Sequence, residues 1–230
     1  YGRVRRSNQP PANKGRFIAR TLCVYLRELT RIYPAKTLPE MTPPNEVEMW
    51  ARELKVERSD METAAQVLGQ MHDKTKVPPK TLAIDLSEVN LQAMRLEILN
   101  FEHATMNKAL LDGATLVGTK LNEALLIRAK LIGAELNQAK LTGANLYEAD
   151  LRTTHTMGLA LRSSNLSKVP NVGGFISQAF GDASVILPDD VGFPDDRWPD
   201  TVLNDETYET EWLHFKKDPS SYVPPQHRDD

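Results

Sequence analysis

Apolar positions in the first 80 residues recur at three- and four-residue steps; from Ile84 onward they recur every five. In the first stretch Ile18, Leu22, Leu26, Leu29 and Tyr33 form one stripe. It predicts an amphipathic helix from Arg16 to Tyr33, stopped by Pro34. Prolines at 39, 43 and 44 predict a loop, and Val47, Trp50, Ala51 and Leu54 then mark one face of a short helix. A third helix is predicted from Ser59, which with Glu62 has the spacing of a capping box. Its stripe is Met61, Ala64, Ala65, Leu68 and Met71, and the loop HDKTKVPPK closes the helical region.

The fivefold register fits neither the 2.0 period of a strand nor the 3.6 of a helix. Its central position falls at seventeen places from Leu86 to Leu166, and sixteen of them hold a large apolar residue, Thr156 being the exception. Two residues earlier, nine of the seventeen are alanine. Glycine follows two residues after the centre at 113, 118, 133, 143 and 158, where a corner would use positive φ. One large and one small inward residue in every five suit a chain that turns a corner after each short extended side. Four sides close a square coil, and successive coils stack like parallel strands roughly 4.8 Å apart. The pentads then make about four coils, a rod on the order of 20 Å long. Leu stacks on Leu and Ala on Ala to bury a shared core. The expected fold class is mainly β, with Leu126 inward and Ile127 outward.

The pentads ANLYE (144–148), ADLRT (149–153) and AKLIG (129–133) resemble the consensus A(D/N)LXX of the pentapeptide-repeat family. The resemblance covers residues 84–168 and implies a right-handed quadrilateral β-helix. It is weakest at Thr154-His155-Thr156, where a bulge or local widening is expected. It is also weak at the Met94 and Leu99 pentads, whose bulky small positions suit an atypical terminal coil. Upstream, TLCVYLRE (21–28) and RSDMETAAQVLGQ (58–70) look like the helical region of a bacterial subset of the family that often carries membrane-spanning helices further upstream. That resemblance would put the basic residues 1–16 near the cytoplasmic face of a membrane; a basic linker with no membrane role is the competing reading. The expected organisation is a basic linker or arm at 1–14, an α-helical region at 15–80, the β-helix at 81–169, and a capping segment with an acidic tail at 170–230. In that last part the register is lost after Pro170, NVGGF offers a flexible joint, and SVIL (184–187) suits a short strand. Trp198, Trp212 and Phe215 are candidate plugs for the open end of the coil.

Hydrophobic residues make up 40% and charged residues 26% of the 230, a balance typical of soluble globular chains. No apolar run approaches the ~18 residues of a membrane span. The single cysteine, Cys23, excludes an internal disulfide framework and favours a reducing compartment. The expected location is therefore cytoplasmic, at the membrane face if an upstream segment supplies an anchor. The chain opens on Tyr1 rather than Met, which suits a fragment or a processed form. The net charge of -3 conceals an asymmetry. Residues 1–36 carry nine Lys/Arg against Glu28 alone, and residues 182–230 carry thirteen Asp/Glu against four Lys/Arg. Such ends suit charged partners, or simply solvent.

The sequence contains no GxSxG, HExxH, P-loop or dinucleotide fingerprint. Its five histidines lack ligand spacing, Cys23 lies near a buried stripe, and His155 has no evident partner to orient it. The aspartate pairs 189–190 and 195–196 lack the alternate spacing of a calcium loop. No catalytic, cofactor-binding or metal residue is assigned, no cofactor is expected, and the expected function is a non-enzymatic scaffold for a protein partner. The resemblance to the pentapeptide-repeat family, some of whose members protect gyrase by resembling duplex DNA, implies a DNA-mimic regulator of gyrase or another topoisomerase as the first alternative. It calls for dense negative charge, whereas the outward positions of the coil carry nine acids and nine bases, which disfavours a nucleic-acid role. An enzyme or enzyme accessory with an unrecognised pocket is the second. The candidate contact surface is apolar: Leu125, Ile127 and Tyr147 on one side of the square, Leu110 and Ile132 on the next. The N-terminal helices are expected to lie across both sides.

Overall fold

A computed structural model describes residues 12–228. The basic arm expected over 1–14 lies, up to residue 11, outside the described residues. The helices are α1 (Ala12–Ile32), α2 (Val47–Glu53), α3 (Ser59–Thr75), α4 (Pro79–Leu82), α5 (Gly173–Ile176) and α6 (Asp205–Lys217). Helix α1 thus begins four residues before the expected Arg16.

Between α4 and α5 the chain winds into a four-sided coil. Parallel bridges join one outward residue of a pentad to its counterpart a full coil later, as in Asp85–Thr105, Asn90–Leu110, Arg95–Thr115 and Asn100–Lys120. Most pentads repeat one set of bonds. The Leu86 N–H donates to Thr105 O (2.7 Å), the Glu88 N–H to Asn107 O (3.0 Å), and the Val89 N–H back to Leu86 O (3.2 Å), closing the corner. The corner residue is left-handed whether it is glycine (Gly113, φ 65°) or not (Glu88, φ 62°), as the third residue of a type II turn requires. Ladder bonds on both sides of each corner outweigh the roughly 1–2 kcal/mol that an L-residue costs there. Leu126 is fully buried and Ile127 is half-exposed, which gives the phase expected from the register. The mainly-β description is not confirmed. Each side is so short that its bridges stay isolated, and helices of 21, 17 and 13 residues flank the coil.

The first coil has no predecessor to accept its outward N–H groups, and a buried group left unpaired costs about 1–3 kcal/mol. Helices α1 and α3 supply the missing acceptors. The Asn90 N–H donates to Thr30 Oγ1 (2.9 Å), that of Arg95 to Glu62 Oε1 (2.8 Å), and that of Asn100 to Gly69 O (2.9 Å). Glu62 is thereby drawn away from the expected capping box, and no side chain caps α3. Leu99 packs on the Gly69 backbone, so its bulk at a small position reaches the helical cap.

The far end explains the lost leucine. Thr156 is buried and its hydroxyl donates to Phe175 O (2.8 Å), so α5 enters where a further leucine layer would stand. NVGGF is accordingly not a joint, because α5 buries Phe175 and Ile176. The register also outlasts Pro170: Ala160 bridges Phe180 and Asn165 bridges Ile186, a partial fifth coil in which SVIL supplies one bridge rather than a strand. Trp198 closes this end, fully buried on Gly181 with its indole N–H on Ala179 O (2.8 Å). Trp212 and Phe215 do not plug it. They pack from α6 onto the flank formed by Ala160 and Phe180.

Candidate functional site

The sides are numbered by their inward residues: Leu86, Met106, Leu126 and Leu146 define the first, Leu91, Leu111, Leu131 and Leu151 the second. On the second side the chain covers itself. Gln92 clamps Lys36 through two bonds, accepting from its N–H and donating to its carbonyl, both at 2.8 Å. Gln92 also donates to Asp112 Oδ2 (2.9 Å), whose Oδ1 accepts the Ile132 N–H (3.0 Å). This ladder positions α2, which packs Val47 and Ala51 on Ile132 with Trp50 and Leu38 alongside. Asp112, counted among the outward charges, is buried, and burial holds its carboxyl above the ordinary carboxylate value. Leu110 is half-buried.

The first side is different. Leu125 is 39% exposed, and Ile127 and Tyr147 are half-exposed on the same and the next rung. The N-terminal helices were expected to cover this patch, and they do not. Helix α1 reaches the first side only at its start, where Arg27 pairs with Asp85 (3.1 Å). The proline-bearing segment before α2 and the short α2 itself are committed to the second side. Of the five residues in the expected contact surface, Ile132 is sealed, Leu110 is partly covered, and Leu125, Ile127 and Tyr147 form an open patch. Its charged border is internally neutralised. Lys108 pairs with Glu88 (3.1 Å) and Arg128 with Glu148 (2.5 Å) across successive rungs. The Arg128 guanidinium holds the Glu148 carboxyl below the usual carboxylate range.

A family model described as pentapeptide repeats matches residues 84–122 and 119–155, in eight copies. The matched stretch, residues 84–155, is built of pentapeptide repeats. Among solved structures, a pentapeptide repeat protein (Rfr23) from the cyanobacterium Cyanothece 51142 is 28% identical, covering 45% of this chain and 64% of its own, with a TM-score of 0.25. HetL, a pentapeptide repeat protein involved in heterocyst differentiation regulation from the cyanobacterium Nostoc sp. strain PCC 7120, is 30% identical over 46% of this chain and 47% of its own (TM-score 0.22). QnrB1, a plasmid-mediated fluoroquinolone resistance protein, is 12% identical over 55% of this chain and 82% of its own (TM-score 0.20). The match thus spans less than two thirds of the Rfr23 and HetL chains. No curated protein matches the chain.

Around the pentapeptide-repeat coil, Cys23 and His155 are engaged structurally. Cys23 is buried, which pushes its thiol up. His155 is half-buried with Nε2 3.6 Å from Glu48 of α2. Asp189, Asp190, Asp195 and Asp196 are exposed, and no group of metal-ligand side chains forms among the described residues. A depression of about 530 Å³ lies where the segment before α2 meets α5, walled by Pro44, Val47, Leu151 and Phe175. Its one ionisable side chain, Arg152, is already held by both oxygens of Asp150. A polar groove between the coil and α6 is likewise filled with pairs, His103–Glu123 and Lys140–Glu209 among them.

Proposed function

We propose that the protein is a non-enzymatic interaction scaffold whose coil receives a protein partner on its first side. The observation that carries this reading is the contrast between adjacent sides. Ile132 is sealed by α2, while Leu125, Ile127 and Tyr147 stand open on a rigid ladder. Apolar area that a chain leaves uncovered on an otherwise well-packed body is the usual mark of a contact. The paired border charges suit a partner that is itself largely apolar at the contact, with association little affected by salt. They weigh against duplex mimicry, which needs unpaired negative charge in a dense row. The reducing compartment that suits Cys23 makes the cytoplasm the proposed location.

The test replaces Leu125, Ile127 and Tyr147 together by threonine. The triple variant should change unfolding stability by less than about 1 kcal/mol, as surface changes do. It should also shift the protein, in extracts of its native cells, from a larger complex to the size of the free chain. An unchanged complex would overturn the proposal.

A further inference from the structure

We infer that the outward face of α1 docks on an anionic lipid bilayer. Helix α1 carries two apolar faces. Its inner face, with Ala19, Cys23 and Leu26, is buried in the core shared with α3 and the first coil. Its outer face repeats at seven-residue steps, Phe17 with Val24 and Ile18 with Tyr25 and Ile32. That face remains in solvent: Phe17 is 72% exposed, Ile32 66%, Ile18 47% and Val24 46%. A helix already docked by one face has no structural need of the second.

The charges beside this stripe point to the occupant. Lys14, Arg16, Arg20, Arg27 and Arg31 share α1 with a single acid, Glu28. Arg31 pairs with Glu28 and Arg27 with Asp85, whereas Arg16 and Arg20 have no ion-pair partner among the described residues. These two arginines line an open depression of about 620 Å³ beside Phe17 and Val24, with Cys23 and Leu82 also lining it. Arg3, Arg5 and Arg6 precede the helix in the sequence. A lipid headgroup region offers phosphate to the arginines and an acyl boundary to the apolar stripe, the pairing that holds amphipathic helices in a membrane interface. A nucleic-acid backbone would leave Phe17, Ile18 and Ile32 in water, and an uncharged protein surface would leave Arg16 and Arg20 unmatched. No helix among the described residues is long and apolar enough to cross a bilayer, so the contact inferred is adsorption to its surface.

The test is co-sedimentation of the full chain with vesicles of phosphatidylcholine alone or mixed with phosphatidylglycerol, beside a binding measurement on duplex DNA. Binding should require phosphatidylglycerol. The double variant Arg16→Gln/Arg20→Gln should weaken it roughly 30-fold, at about fivefold per arginine near the surface. Phe17→Ser should weaken it about tenfold by removing the aromatic side chain that would enter the acyl boundary. All three side chains are exposed, so an unchanged urea midpoint controls for folding. Equal binding to both vesicle types, binding to neither, indifference to both variants, or tighter binding to duplex DNA than to the anionic vesicles would each overturn the inference.

Discussion

Replacing Gly133 by alanine would put a methyl group where α2 already lies. A Cβ at that corner falls 2.4 Å from Ala51 Cβ, well inside van der Waals contact. Gly118 is the natural control, since its φ of +65° is the same and its nearest neighbour, Ile98 Cγ1, is 3.7 Å away. Both substitutions carry the left-handed backbone strain of roughly 1–2 kcal/mol. Only Gly133→Ala also forces α2 outward, exposing part of the cluster of Val47, Ala51 and Ile132. Exposing about one such side chain costs about 1.5–3 kcal/mol. Gly133→Ala should therefore cost about 2.5–5 kcal/mol against about 1–2 for Gly118→Ala. Equilibrium urea unfolding measures the difference, and amide exchange over residues 47–54 locates it. Ala51→Gly in the Gly133→Ala background should recover most of the gap, a favourable coupling of about 2 kcal/mol in a double-mutant cycle. Equal costs for the two glycines, with no coupling to Ala51, would refute the docking of α2 on the second side.

Three further outcomes follow from the same geometry. Leu126→Ala should cost about 2–5 kcal/mol by opening a cavity in the central stack, and Leu125→Ala less than about 1, as urea midpoints can compare. Thr156→Leu, which restores the repeat consensus, should destabilise by about 1–3 kcal/mol, because the longer side chain meets α5 and the bond to Phe175 O is lost. Burial raises the Asp112 carboxyl above its ordinary 3.8, so the folded chain holds that proton more tightly than the unfolded one. The stability this contributes is present below about 3.8 and is lost as pH rises through the folded-state value. Asp112→Asn should flatten that decline in a pH series of urea midpoints.

The coil was legible because its information is local and repeated. One Leu and one small residue in every five leave a single solution, and no isolated pentad could upset the phase. What closes the coil was not legible, because it depends on backbone groups that sequence does not display. Glu62 reads as half of a capping box until the first coil is seen to need an acceptor at the Arg95 N–H. Thr156 reads as a defect until Phe175 O is seen beside it. The open patch was half legible. Periodicity placed Leu125, Ile127, Ile132 and Tyr147 outward, but which of them the chain would cover depended on where the segment before α2 crosses. Gln92 and Asp112 decide that crossing through their hold on Lys36 and Ile132, and both look like ordinary outward polar residues in the repeat.

The direct measurement of the central claim is site-specific photo-crosslinking in the native cell. A photoreactive residue at Ile127 on the first side is compared with one at Asn137 on the third, both half-exposed. The account predicts a discrete protein adduct from position 127 and none from position 137. Equal labelling at the two positions, or adducts from position 137 alone, would contradict it.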